Sequence, residues 1–391
     1  MLKRLIFKLL DLYRRIRLWW LSSRGLTESD IHAQRIASGR AWEEFCDSLK
    51  AAGGAMVYGG APQDPFNQAE GYRYLSRLAR AGLEAFVEYA DPKFPVLRRM
   101  VHETVKLGAD NPDNFYMNCK IDGQYEYRIF GNRKTAHYLG FATQRGDYGK
   151  EGGMQLSGAL EASDLKVQSD GSFEIILSTK QKGKNWLPTA ADSSLLIVRQ
   201  TFLDKETEEL ADIHIECLGG NDRPDPLTPE LVDKGLSSAS AFVAGAAMFF
   251  ARWSKGFKAH PNQLPLFDPA TSTAAGGDEN IAYYHSYWQL GQDEALLIDF
   301  NPPDCPYWNF QLNNYWMESL DYRYHQVTLN KHSARTHTDG TVRLVVAHQD
   351  PGLPNWIDTA HHEQGTMCLR WVKAQDWPTP STQVVSFNSL H

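Results

Sequence analysis

DGSFEIILSTKQKGKNWLPTAADSSLLIVRQ (residues 170–200) and DGTVRLVVAHQDPGLPNWIDTAHHEQGTMCLRW (residues 339–371) are two versions of one pattern. Each runs from Asp-Gly and a hydroxyl residue through an apolar strand, a polar loop and Asn-Trp into a second apolar strand that carries an arginine. Asn185 and Trp186 correspond to Asn355 and Trp356, and Arg199 corresponds to Arg370. A recurrence of this length implies a fold built from two related β units. The Asn-Trp corner has a packing explanation. The indole plugs the edge of a sandwich while its N–H reaches a carbonyl, and the Asn side chain closes a turn. Arg199 and Arg370, on the returning strands, are expected to reach that turn.

Working outward, Asn114, Tyr116, Asn118 and Lys120 alternate with Phe115, Met117 and Cys119, the pattern of a half-buried strand. Asp122-Gly123 is a hairpin signal before YEYRIF at 125–130, and AHYLGFAT at 136–143 is a further strand. The first β unit is expected over 110–203. In the second unit, expected over 281–373, Tyr283, His285, Tyr287 and Gln289 share one strand face. Tyr307, Asn309, Gln311, Asn313 and Tyr315 share another, opposite Trp308, Phe310, Leu312 and Trp316. Residues 374–391 read as a tail.

The segment 204–280 reads as a helical connector and linker. Thr228-Pro229-Glu230 is a helix start, with a cap, a proline at the first helical position and an acid in the first turn. The apolar run at 239–253 is too short and mixed to span a bilayer and reads as a buried helix, with a linker at 263–279. Residues 25–109 read as helical: one helix from about Thr27 toward Lys50, a Gly/Pro loop, a second over 67–89 and a short one over 96–106. Residues 1–24 form a separate pattern. Leu2, Ile6, Leu9, Tyr13, Ile16 and Trp20 fall on one helical face, and Arg4, Lys8, Asp11 and Arg15 fall opposite. Such a basic amphipathic helix lies on an anionic membrane surface or docks on protein. The fold class expected is therefore α+β: an N-terminal helical region, then two jelly-roll-like antiparallel β units joined by a helical connector.

A net charge of −7 argues against nucleic-acid binding by the whole chain. The five cysteines are scattered and form no C-x-x-C pair, so neither a disulfide framework nor a cysteine zinc site is expected. That usage fits a reducing compartment, the cytoplasm, with attachment to the inner face of the membrane if residues 1–24 bind lipid. No G-x-G-x-x-G, G-x-x-x-x-G-K-[ST] or G-x-S-x-G occurs, and no cofactor is expected.

The segments DGSFEIILSTKQKGKNWLPTA (170–190) and LLIVRQTF (195–202), with PYWNFQLNNYW (306–316) and NFYMNCKIDGQYEYRIFG (114–131), resemble the bacterial family catalogued as domain of unknown function 1214. The resemblance covers most of residues 110–373. It implies a jelly-roll-like domain and, for two-unit relatives, a double jelly roll. It implies no catalytic residue. The family's Asn-Trp-Leu-Pro is complete at 185–188, whereas Ile357 and Asp358 replace Leu-Pro in the second copy and His361 and His362 follow.

The polar strand faces are the candidate ligand site: Tyr283, His285, Tyr287, Tyr307, Asn309, Gln311, Asn313 and Tyr315. Amides supply donors and acceptors, and tyrosines supply apolar faces with a polar tip. Such a surface suits a glycan, another polyhydroxylated molecule or a small aromatic ligand. Tyrosine is also enriched where subunits meet, and a homo-oligomer is expected. If the surface is instead catalytic, as in a hydrolase or lyase, His285, His337, Glu318 and Glu363 are the acid–base candidates. A third reading is a structural or assembly protein held at a membrane by its first helix. Seven of the 13 histidines lie from His325 onward, but without His-x-His or His-Glu-x-x-His spacing, so no metal is expected.

Overall fold

A computed structural model describes residues 24–146, 154–220 and 222–390, together with Ile16. The basic helix expected over 1–24 lies outside the described residues apart from Ile16 and Arg24. The remainder is α+β. From Arg24 on, three α-helices, α1 (Glu28–Ala37), α2 (Arg40–Ala52) and α3 (Pro65–Leu83), precede the β units. A long helix, α4 (Pro229–Phe257), and a short one, α5 (Pro269–Ala274), stand between them.

The first unit has eight strands: β1 (Asn114–Lys120), β2 (Glu126–Asn132), β3 (Tyr138–Gly146), β4 (Met154–Glu161), β5 (Ser172–Ser178), β6 (Trp186–Pro188), β7 (Ser193–Thr201) and β8 (Asp212–Leu218). They form sheets of order β1-β7-β3-β4 and β6-β5-β2-β8. The second unit repeats this with β9 (Ile281–Gln289), β10 (Glu294–Phe300), β11 (Tyr307–Leu312), β12 (Thr328–Asn330), β13 (Val342–Ala347), β14 (Trp356–Asp358), β15 (Gln364–Val372) and β16 (Ser381–Ser386). Its sheets run β9-β15-β11-β12 and β14-β13-β10-β16. Each strand therefore has a counterpart eight strands later, and the duplication read from 170–200 and 339–371 extends to the whole topology. Pairing is antiparallel except for β5 with β6 and β13 with β14.

Each unit closes a separate core. Leu196 and Val198 of β7 pack with Tyr127, Ile129, Phe173 and Ile175 in the first. Leu369 and Trp371 of β15 pack with Trp308, Phe310, Leu344 and Val346 in the second. In both, the alternate residues of β7 and β15 point out of the sandwich.

Several boundaries differ from the sequence expectation. β8 lies in the segment read as connector, and β16 in the segment read as tail. They are equivalent edge strands, pairing with β2 and β10. Both are largely exposed, which weakens the apolar signal that marks an inner strand. The helix toward Lys50 is broken at Ser38-Gly39, where Gly39 has φ 78° and caps α2. No helix forms over 96–106. Arg98 bridges instead to Asn118, so that stretch is held against the edge strand β1. The linker contains α5, which Asp268 caps through the Thr271 N–H.

α4 starts as its sequence indicates: the Thr228 side chain accepts from the Leu231 N–H and Pro229 opens the helix. At 29 residues it is longer than its apolar run and, by length and composition alone, long enough to cross a membrane. Its apolar face is buried. Phe242, Val243, Ala246 and Phe250 pack with Tyr74 and Leu78 of α3 and with Tyr287 and Tyr315 of the second unit.

Close backbone approach fixes one glycine of β15. A Cβ at Gly365 would lie 2.1 Å from the Asn313 carbonyl oxygen, the same oxygen that accepts the Trp288 indole N–H at 3.3 Å. Gly365→Ala is expected to cost about 1–3 kcal/mol, read as a lower urea midpoint. An unchanged midpoint would mean that β15 can shift without disturbing that bond.

Candidate functional site

The outward faces of β1, β7 and β3 meet those of β9, β15 and β11 across a cavity of about 300 Å³. Apolar side chains line part of it: Met100, Leu107, Ile197, Phe242, Phe250 and Trp253. Its polar lining includes phenols and guanidiniums: Tyr116 of β1, Arg199 of β7, Tyr283 of β9, Tyr307 of β11 and Arg370 of β15. The cavity is thus amphipathic, with α4 supplying much of its apolar wall.

Its polar part is duplicated. Tyr116 stands directly opposite Arg199 in the β1–β7 pairing. Tyr283 stands directly opposite Arg370 in the equivalent β9–β15 pairing. A cross-strand pair shares one face of the sheet, so each unit delivers one Tyr–Arg pair to the same cavity. The charges reach across it. Arg199 and Arg370 each favour the ionised form of both Tyr116 and Tyr283, although burial wins and raises both phenols, Tyr283 to about 12. At neutral pH both are protonated. Tyr116 accepts from the Asn111 N–H at 2.9 Å, and Tyr283 accepts from the Asp278 N–H at 3.2 Å.

Arg370 is 5 % exposed, and the strand face expected to bind ligand holds it. It donates to Gln311 Oε1 at 2.6 Å and Asn309 Oδ1 at 3.3 Å, and also to the Ala109 carbonyl. The amides continue as a ladder: Asn309 Nδ2 donates to Gln311 Oε1 at 3.3 Å, and Gln311 Nε2 to Asn313 Oδ1 at 2.6 Å. All these acceptors are neutral. They satisfy donors without cancelling the charge, and they leave part of the guanidinium's donor set unused. Among the described residues no carboxylate forms an ion pair with Arg370 or Arg199. Asp110, also at the cavity, accepts from Ser319 N at 3.0 Å and Ser319 Oγ at 2.8 Å, and the charge of Lys106 offsets its own. The one bond Arg199 makes among the described residues is to the Gly276 carbonyl at 3.2 Å.

The expected site residues therefore divide. Tyr283, His285 and Tyr307 line the cavity. Asn309, Gln311 and Asn313 are fully buried beneath the segment 106–113. That segment is strapped down by Lys106 to the carbonyls of Ser319 and Leu320, and by Gln311 to the Asp110 carbonyl. None of the three amides lines the cavity. Tyr287 and Tyr315 are buried outside the cavity lining, where Tyr287 donates to Gln364 at 2.5 Å and Lys258 lies over both rings.

The acid–base candidates do not converge. Glu318 is buried against Arg77 at 2.6 Å and Asn314 at 2.9 Å. Glu363 is exposed and accepts from Gln292. His337 is exposed beside a turn. His285 is buried, stacked between Phe257 and Tyr283, and burial with the charge of Arg370 lowers its pKa to about 3. At pH 7 it is a neutral imidazole, not the imidazolium that a histidine general acid uses. The later histidines have separate partners: His325 pairs with Asp358 at 2.6 Å and His348 with Thr359 at 2.8 Å.

Tyr116, Trp253 and the charge of the two arginines were not identified as site features from the sequence. The signals were present: Tyr116 stands on the polar face of its strand, and the arginines recur in both copies. The corner has its own bonds, and the arginines do not reach it. Trp186 donates to the Ser178 carbonyl at 3.1 Å and Trp356 to the Ala347 carbonyl at 3.0 Å.

A family model described as "Protein of unknown function (DUF1214)" matches residues 150–202. The crystal structure of a putative uncharacterized protein from Burkholderia cenocepacia is similar over 91 % of this chain and 99 % of its own, at 48 % identity and a TM-score of 0.90. A Vibrio parahaemolyticus protein is similar over 81 % of this chain and 98 % of its own, at 11 % identity and a TM-score of 0.47. No curated protein matches. With the first relative alike over nearly its whole length, and with the family pattern in the first β unit, the chain belongs to the family of unknown function 1214.

Proposed function

We propose that the protein binds a small molecule with an aromatic or short acyl body in the cavity between its two β units. The observation that carries this reading is the cavity itself. It measures about 300 Å³, is lined from both units and α4, and places apolar walls beside a few convergent polar groups. Small-molecule sites have this composition, with volumes from about 300 to 1,000 Å³. The reading retains Tyr283, His285 and Tyr307 as ligand-facing residues and moves the amide ladder into a supporting role.

The test is thermal unfolding of the full chain with a panel of small aromatic and polyhydroxylated compounds, run beside Ile197→Trp. Ile197 lines the cavity, so an indole there takes up ligand space. A ligand at a hundred times its Kd stabilises by about 2.7 kcal/mol, a shift of several degrees. The expected result is a compound that raises the wild-type Tm and leaves that of Ile197→Trp unchanged. Equal shifts in the two proteins, or no shift with any compound, would overturn the reading.

A further inference from the structure

We infer that the ligand is an organic carboxylate, its anionic end clamped between Arg199 and Arg370 and capped by the hydroxyls of Tyr116 and Tyr283. This rests on the cavity-binding reading and adds the chemical class. The argument starts from the duplication. In each unit a tyrosine and an arginine face each other across the same strand pair, and both pairs open on one cavity. Two equivalent cations brought to one internal space repel each other, and neither forms an ion pair among the described residues. Burying a charge without a counter-charge is costly, and hydrogen bonds from neutral amides recover only part of that cost. Asp110 and Asp278 also line the cavity; Lys106 offsets the first, which is held by Ser319, and the second stands against two guanidiniums. The polar end of the cavity therefore carries excess positive charge, which an anion would neutralise.

The donor geometry narrows the class. Arg370 keeps unused N–H groups after its bonds to Gln311, Asn309 and Ala109, and Arg199 keeps more after its bond to Gly276. Planar guanidinium edges match the two oxygens of a carboxylate. Tyr116 and Tyr283 each use the oxygen lone pairs to accept backbone N–H groups, which leaves the hydroxyl protons to donate. The apolar wall of Phe242, Phe250 and Trp253 then takes the body of the molecule. A phosphate monoester presents related oxyanion chemistry with a tetrahedral shape and more charge, and the test separates the two.

Full-length protein is titrated by calorimetry with phenylacetate, its neutral isostere phenylacetamide, and phenyl phosphate. Hydrogen bonds to charged groups are worth about 1.5–3 kcal/mol each, so phenylacetate is expected to bind at least about tenfold more tightly than phenylacetamide. Arg199→Gln is the informative variant, because Arg199 anchors less of the fold than Arg370 does. Removing that uncompensated charge is expected to leave the Tm at or above that of wild type, and to reduce the preference for phenylacetate over phenylacetamide to within about twofold. Equal wild-type affinity for acid and amide would overturn the carboxylate assignment and leave cavity binding standing. So would a preference that survives Arg199→Gln. Tighter binding of phenyl phosphate would overturn the carboxylate in favour of a phosphate ester. If no probe binds and the neutral panel also fails to distinguish wild type from Ile197→Trp, the cavity reading falls with it.

Discussion

Asn355→Ala is expected to destabilise the second β unit by about 3–4 kcal/mol, and Asn185→Ala to destabilise the first by about 2–3 kcal/mol. The two side chains make the same three bonds. Asn185 Oδ1 accepts from Lys166 N at 2.8 Å, while its Nδ2 donates to the carbonyls of Lys166 and Glu174, both at 2.9 Å. Asn355 Oδ1 accepts from Arg335 N at 2.7 Å, and its Nδ2 donates to the carbonyls of Arg335 at 2.8 Å and Arg343 at 2.9 Å. Each amide thus pins a preceding loop to the strand that leads into the corner. At about 1 kcal/mol per bond, the loss is about 3 kcal/mol before water replaces any of them. The second copy carries an extra term. Asn355 has φ 60°, a left-handed conformation that asparagine tolerates and alanine resists by about 1 kcal/mol. Asn355→Gly separates the two contributions, since glycine relieves the backbone and leaves the bonds missing. Urea unfolding of the three variants checks the ordering. Losses below about 1 kcal/mol at both positions would show that solvent substitutes for the amides and that the corner does not hold the units together.

That corner shows how much of the fold was legible. The Asn-Trp repeat, the Asp-Gly turns and the alternation in β1 and β9 mark strands with one buried face, whose period of two is plain. β8 and β16 escaped notice for one shared reason. Both are largely exposed and bury little, and in STQVVS the alternation is too shallow to separate from coil. β8 does carry a signal, since Ile213, Ile215 and Cys217 recur at alternate positions. Once β8 is placed, the duplication itself calls for β16.

The candidate site was legible only by face. Alternation correctly grouped Tyr307, Asn309 and Gln311 on one side of β11, but it carries no information about what lies above that side. The strap at 106–113 has no periodicity and comes from about two hundred residues earlier in the chain, yet it decides that the amides are sealed. Likewise the repeat paired Arg199 with Arg370 in sequence. That they face one another across a single cavity depends on how the units pack, which no local pattern encodes.

Acid is expected to destabilise the protein through His285, and His285→Phe to remove that sensitivity. The ring lies in an aromatic box: Phe257 and Tyr283 stack on it at centroid separations of 5.7 and 5.5 Å, and Phe267 meets it edge-on at 5.4 Å. Its Nδ1 has no hydrogen-bond partner among the described residues. Burial, reinforced by the charge of Arg370, lowers its pKa from 6.5 to about 3. The unfolded chain therefore takes up this proton as pH falls below 6.5, while the folded protein takes it up only near 3. More protons bound in the unfolded state means that stability rises with pH across this window. The contribution is complete above pH 6.5 and is lost progressively down to about pH 3, at about 1.4 kcal/mol per pH unit and about 5 kcal/mol in all. Phenylalanine fits a box of this kind and titrates nothing. At pH 7 the variant is expected to match wild type within about 1 kcal/mol, and at pH 4.5 to exceed it by about 2–3 kcal/mol. Other groups that titrate in this range, such as the buried His362, act in both proteins and cancel in the difference. Denaturant unfolding at the two pH values gives that difference directly. Parallel pH profiles would mean that the imidazole takes up its proton at the same pH folded as unfolded, and below about pH 6.5 the cavity would then hold a third cation beside Arg199 and Arg370.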